Sequence, residues 1–161
     1  MFDYIEENLQ KIKNPDDVDI IKRSWPEGDK GYSIYARINN GEAVQLTKPM
    51  GRMTFPFEPI YWLAREVFGK FYFNDFAILD NVIAINKNHL VKLGYVDENL
   101  IEHKNKRVGL YAYFDDGNII SFAHPTRKHF LKTWKAEIEQ KCDVQFEDIT
   151  EEAVKEKELN Q

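Results

Sequence analysis

The sequence lacks most of the patterns that would identify its chemistry. It has one cysteine, Cys142, so no disulfide can form within the chain. It has only three serines, none of them in a GxSxG turn, and it has no glycine-rich phosphate loop, no CxxC and no HExxH. These absences argue against disulfide-stabilised secreted proteins and against the common hydrolases, nucleotide-binding enzymes and zinc proteases. We therefore expect no cofactor and no bound metal.

Long apolar runs and export features are also missing. No apolar run approaches the ~20 residues that a membrane-spanning helix needs. The N-terminus, MFDYIEENLQ, is acidic and has neither the basic region nor the small-residue cleavage site of a signal peptide. We expect a cytoplasmic protein that makes no contact with a membrane.

Charge is present in quantity but is unevenly distributed, within a net charge of −5. Residues 104–135 carry seven basic and two acidic side chains, whereas residues 136–161 carry three basic and nine acidic ones. A basic band beside an acidic tail indicates either an anionic partner or a tail that folds back onto the band. The second interpretation predicts that Glu147 or Asp148 neutralises the basic residues.

Aromatic residues are abundant, and nine of the 22 fall within residues 55–76. Apolar residues there repeat with the spacing of one buried helix face: Ile60, Leu63, Ala64, Val67 and Phe68. Pro59 suits the first helical position, and Gly69 suits the residue that ends a helix. The pattern predicts a helix over 58–68 at the centre of the core.

The other patterns predict an α+β fold with three to four helices, two to three β-hairpins and an acidic C-terminal tail. We expect a single domain over 1–148 and an acidic tail over 149–161 that is either a frayed helix or flexible and disordered. Further helices are predicted over 3–13 and 126–141, hairpins over 32–47 and 106–123, a loop over 15–31 and a strand over 144–146. The late helix should bury a stripe made of Phe130, Leu131, Trp134, Ile138 and Cys142.

Residues 77–95 permit two interpretations, because apolar runs this short cannot be assigned by periodicity. They predict either a hairpin that turns at residues 80–81 and is followed by a short helix, or two short helices. The second helix would cover about 86–93 and end at Gly94.

Our first functional hypothesis is a non-catalytic domain that binds another protein. The motivation is the missing catalytic pattern and the excess of aromatic residues. Tyr61, Trp62 and Arg65 lie off the buried face of the predicted 58–68 helix, and these residue types are enriched in binding hot spots.

A second hypothesis is a winged helix-turn-helix that binds DNA or RNA through residues 86–107. It requires the two-helix interpretation of residues 77–95. The side chains that would reach bases and phosphates are Asn86, Lys87, Asn88, His89, Lys104, Lys106 and Arg107.

A third hypothesis is a metal-independent ribonuclease at the start of the late helix. Such an enzyme needs a general acid, a general base and cations for the phosphate, all converging on one position. The residues of these types are His124, Arg127, Lys128, His129, Tyr111 and Tyr113.

Overall fold

A computed structural model describes residues 2–24, 33–38, 42–49, 57–69, 75–79, 83–97 and 106–159. Within these ranges, the side chains of residues 2, 24, 57–59, 61–63 and 157–159 are not described. The architecture is mixed α+β, as predicted, and the described part contains more strand than helix. The chain divides into two compact units, Met1–His89 and Leu90–Gln161. The single domain expected over 1–148 stays a prediction.

The first unit contains two helices, one 3-10 turn and five strands in its described part. They are α1 (Phe2–Leu9), the 3-10 turn Pro15–Asp17, β1 (Val18–Ser24), β2 (Ser33–Ile38), β3 (Ala43–Gln45), α2 (Phe57–Phe68), β4 (Phe76–Leu79) and β5 (Ile83–Asn86). The strands form one antiparallel sheet in the order β3-β2-β1-β5-β4. The two helices contact each other, and their apolar faces share one core with the sheet.

The loop predicted over 15–31 is wrong for residues 18–24, which form β1, the central strand of this sheet. Val18, Asp19, Ile20 and Ile21 are all buried. A strand covered on both faces lacks the polar–apolar alternation by which a half-exposed strand is recognised. The buried Asp19 carboxylate is 2.9 Å from Nδ1 of His89 in the same unit.

The aromatic helix is confirmed as α2, although it begins at Phe57 and Pro59 is therefore its third residue. This position is tolerated because the first four N–H groups of a helix have no partner within it. Ile60 and Ala64 are fully buried, and Gly69 follows the helix with the predicted left-handed φ of 69°.

Residues 77–95 contain the hairpin and not the helix-turn-helix. Strands β4 and β5 pair antiparallel, with Ala77 opposite Ile85. The helix predicted over 86–93 is wrong under either interpretation, since residues 87–89 form a turn and Leu90 begins a strand. The predicted turn at residues 80–81 lies outside the described residues, and so do residues 103–105.

The second unit contains four strands and two helices in its described part. They are β6 (Leu90–Asp97), β7 (Val108–Phe114), β8 (Ile119–Ala123), α3, β9 (Phe146–Asp148) and α4 (Thr150–Leu159). Helix α3 consists of three consecutive segments: α-helical Arg127–His129, π-helical Phe130–Trp134 and α-helical Lys135–Cys142. The sheet order is β8-β7-β6-β9, and β9 is parallel to β6. The predicted strand at 144–146 is thus shifted to 146–148.

The two faces of this sheet carry different neighbours. On one face, the Phe130 ring of α3 lies 5.2 Å from the rings of Tyr95 and Phe146. On the other face, Ile149 lies so close to Gly94 that a Cβ there would be 2.9 Å from the Ile149 Cδ1 atom. None of the helices in the described part of the chain has the length and apolar character that a membrane crossing requires.

Residues 150–159, within the segment predicted as a tail, form α4, and Thr150 joins the start of this helix to β6. The buried backbone N–H of Asp97 donates to Thr150 Oγ1 at 3.0 Å. We expect Thr150→Val to lower the free energy of unfolding by about 1–3 kcal/mol, because it leaves a buried donor without an acceptor. Thr150→Ser keeps the hydroxyl and should cost much less, as measured by urea unfolding. Equal destabilisation by the two substitutions would contradict the role of this hydrogen bond.

Candidate binding cleft at the start of α3

The start of α3 is held against the start of β7 by backbone hydrogen bonds. The N–H of Val108 donates to the Pro125 carbonyl at 2.9 Å, and the N–H of Arg127 donates to the Lys106 carbonyl at 2.8 Å. Arg107 and Thr126 lie opposite each other in an isolated antiparallel bridge between these bonds. Residues far apart in the sequence therefore form one surface.

Thr126 caps the helix. Its backbone is extended, with φ −64° and ψ 148°, and its Oγ1 accepts a hydrogen bond from the N–H of His129 at 3.3 Å. Threonine is favoured at this position because its hydroxyl satisfies an N–H that lacks a partner within the helix. The cap determines where α3 begins and thus where the side chains of its first turn point.

The π-helical turn then determines which side chains of α3 are buried. The N–H of Lys135 donates to the carbonyl of Phe130, five residues earlier. In an ideal α-helix a stripe repeated every four residues drifts by about 40° at each step. The wider π turn reduces this drift. Phe130, Ile138 and Cys142 are consequently buried together, as predicted.

The same turn exposes Leu131, which the sequence predicts to be in the buried stripe. Its side chain is 54% exposed. The prediction is wrong because it counted residues at a constant 3.6 per turn. The π turn keeps Ile138 and Cys142 more nearly in line with Phe130, and Leu131, about 100° around the helix from Phe130, lies to one side of this stripe. An exposed leucine directly after a buried phenylalanine is therefore a consequence of the helix geometry.

Leu131 borders a cleft of about 540 Å³ at the start of α3. In the described part of the chain its lining residues, all from the second unit, are Lys106, Thr126, Arg127, Lys128 and Leu131. Three of the five carry positive charge, and Leu131 gives the cleft an apolar wall. The volume lies within the range of roughly 300–1,000 Å³ that is usual for binding pockets.

The cations of the cleft differ in how they are paired. Arg127 Nε is 3.2 Å from a carboxylate oxygen of Asp97, a residue only 6% exposed at the end of β6. Lys106 and Lys128 are exposed, and within the described residues neither forms an ion pair. Arg107 is exposed beside the cleft and donates from Nη1 to the His124 carbonyl at 2.7 Å. Asp97 thus offsets part of the charge of Arg127, whereas no carboxylate in the described part of the chain pairs with either lysine.

The carboxylates predicted to neutralise the basic band have other partners. Glu147 pairs with Lys92 Nζ at 3.1 Å, and this hydrogen bond raises the pKa of Lys92. Asp148 accepts from the N–H of Thr150 at 2.9 Å, and its hydrogen bonds to Thr150 lower its pKa. The predicted neutralisation by the tail is therefore wrong for Arg127, whose partner comes from β6. The sequence does not predict Asp97 as the partner of Arg127, because β6 and α3 are far apart in the chain and lie together only in the folded unit.

The residues of the ribonuclease hypothesis are divided between the two faces of the sheet. Tyr111 and Tyr113 pair with Gly94 and Lys92 across β6 and β7, whereas Asp97, the partner of Arg127, belongs to the alternate set of β6 residues. Successive strand residues point to opposite faces, so both tyrosines lie on the face away from Arg127. The convergence that this chemistry requires is not found for these three side chains.

The two histidines of the same hypothesis contact different groups. His124 Nε2 is 3.2 Å from Ser121 Oγ, and Ser121 is paired with Tyr111. The His129 ring lies 5.7 Å from the ring of Trp134, one helical turn along α3. Lys128 lines the cleft described above. No general acid and base pair is therefore apparent in this group of residues.

The residues of the nucleic-acid hypothesis are partly used by the fold of the first unit. Asn86 is buried, and its Nδ2 donates to the Val18 carbonyl at 2.9 Å. His89 is held by Asp19, whereas Lys87 and Asn88 are exposed in the turn that follows β5. Lys106 and Arg107 are exposed in the second unit, and Lys104 lies outside the described residues. With no helix-turn-helix over 77–95, this hypothesis loses its structural basis.

The surface of the protein-binding hypothesis is only partly described. Arg65 is exposed on α2. Tyr61 and Trp62 belong to the same helix, but their side chains lie outside the described part of the chain. These three residues stay predicted contacts.

Comparisons of the chain with protein-family models, with curated proteins and with solved structures found no match.

Proposed function

We propose that this chain is a non-catalytic domain that binds another protein, and that the cleft at the start of α3 is a contact surface. The observation that carries the proposal is the position of Leu131, 54% exposed on the wall of a cleft that two exposed lysines also line. Burying a leucine side chain contributes roughly 1.5–3 kcal/mol. Lysines at the rim would direct the approach of an oppositely charged partner.

The helix geometry supports the proposal, because it fixes the backbone position from which Leu131 projects. The adjacent Phe130 is fully buried against Tyr95 and Phe146, and Thr126 and Lys106 fix the start of α3. A preorganised contact residue loses little conformational entropy when a partner binds. Tyr61, Trp62 and Arg65 of the first unit are proposed as a second contact region, on the grounds of residue type alone.

Photo-crosslinking tests this proposal. A photoreactive amino acid at Lys132, four residues after Lys128, should capture a discrete protein partner in an extract of the source cells. The matched control carries the probe at Gln140, which is exposed on the same helix about two turns further on. We expect Leu131→Ser to remove the adduct at position 132, because the buried apolar contact is lost.

Two outcomes of the crosslinking experiment would contradict the proposal. The same adducts from positions 132 and 140, or an adduct unaffected by Leu131→Ser, would show that the cleft is not a specific contact surface. Circular dichroism of Leu131→Ser should match the parent chain, since surface substitutions usually change stability by less than about 0.5 kcal/mol.

A further inference from the structure

The chemistry of the cleft also indicates what kind of partner segment it takes. We propose, resting on the proposed function, that the ligand is an acidic protein segment with one apolar side chain. The apolar side chain would lie in the cleft against Leu131, and carboxylates before and after it would pair with Lys106 and Lys128. This assignment comes from the charge, the geometry and the lining residues of the cleft.

The positive charge at the cleft favours an anionic ligand. Lys106 and Lys128 line the cleft, and Arg107 and Lys132, each next to a lining residue in the chain, are also exposed. The carboxylate that reaches a lining residue, that of Asp97, is paired with Arg127. Lys106 and Lys128 line the cleft from different segments, one just before β7 and the other in α3. Their positive charges are therefore separated and not concentrated at one position. Two separated positive groups match two separated carboxylates better than one concentrated anion.

A carboxylate fits this arrangement better than a phosphate group. Phosphate recognition in proteins favours the planar fork of arginine, which binds two oxygens at once. Arg127, the arginine among the described lining residues, directs its Nε to Asp97. The two lining lysines contribute ammonium ions, which act as single charges. A phosphorylated segment is therefore an alternative that the experiment must separate.

A nucleic acid fits the cleft less well than an acidic or a phosphorylated protein segment. Single strands bind on aromatic side chains on which the bases stack, and no aromatic ring is found among the described residues that line the cleft. The apolar wall provided by Leu131 would lie unused against a phosphate backbone. An apolar side chain between carboxylates uses both the wall and the rim.

Peptide binding to the full chain, measured by fluorescence anisotropy, tests this assignment. The probe is a labelled peptide with the sequence Asp-Glu-Leu-Glu-Asp. Three comparison ligands isolate its features: a peptide with Asn and Gln in place of the acids, a peptide with Ser in place of Leu, and a phosphoserine peptide with one charged group. A single-stranded oligonucleotide is the fourth comparison.

We expect the acidic leucine peptide to bind most tightly, with an affinity that falls as salt is added. Lys106→Gln combined with Lys128→Gln should weaken binding about tenfold, and Leu131→Ser should remove the preference for Leu over Ser. Lys155→Gln on α4 is the matched control, since Lys155 is exposed outside the cleft, and it should leave the affinity unchanged.

Three results would overturn the assignment. These are equal binding of the uncharged peptide, tighter binding of the phosphoserine peptide, or tighter binding of the oligonucleotide. If no peptide binds while the crosslink from position 132 persists, the acidic segment is the wrong ligand and the protein-binding function stands. If the crosslink is also absent, the proposed function fails together with it.

Discussion

Replacing Phe130 with alanine is expected to lower the free energy of unfolding of the 90–161 unit by about 3–5 kcal/mol. Phe130 is fully buried, and its ring lies 5.2 Å from the rings of both Tyr95 and Phe146. Through these rings it connects α3 with both β6 and β9. Alanine would leave a cavity at the junction of these elements and would remove two aromatic contacts.

The matched control for Phe130→Ala is the next residue in the chain. Leu131→Ala removes a side chain of similar apolar character that is 54% exposed, and it should change stability by less than about 0.5 kcal/mol. Hydrogen exchange in increasing urea, followed on peptides from β7 and α3, measures both variants. Similar losses from the two substitutions would show that the π turn does not orient α3 as described.

Replacing Ile60 with alanine is expected to lower the free energy of unfolding of the 1–89 unit by about 2–5 kcal/mol. Ile60 is fully buried on α2, in one core cluster with Ile5 and Leu9 of α1 and with Ile21 and Ile34 of the sheet. The cluster has members from both helices and from the sheet, so the cavity would weaken all three. The expected result is loss of amide protection in peptides from α1, β1 and β2.

Glu66→Ala is the control for Ile60→Ala, because Glu66 is exposed on the same helix. Alanine has a helix propensity at least as high as that of glutamate, so this substitution should leave protection unchanged or slightly increased. A loss of protection from Glu66→Ala as large as that from Ile60→Ala would contradict the assignment of the buried face of α2.

The extent to which sequence patterns predicted the candidate site depends on the type of feature. Arg127 and Lys128 were recognised as cations at a helix start, and Lys106 and Arg107 as cations of the nucleic-acid hypothesis, because charge and the helix pattern are local. That the two sets lie together follows only from the pairing of Arg107 with Thr126. Leu131 was placed on the wrong side of α3, since its exposure depends on a π turn that has no sequence signature. Asp97 was not recognised, because it lies 30 positions before Arg127 and only the pairing of the strands brings it there.

The sequence by itself determined the elements whose signals are contained within one segment. The apolar spacing of α2 and α3, the positive φ of Gly69 and the alternation along β7 act over a few residues, so they can be read without knowledge of the rest of the chain. Tertiary structure alone decided the central strand β1, the parallel pairing of β6 with β9 and the pairing of Arg127 with Asp97. In each case the stabilising partner is distant in the sequence, and burial or a cross-strand contact, not local propensity, favours the observed conformation.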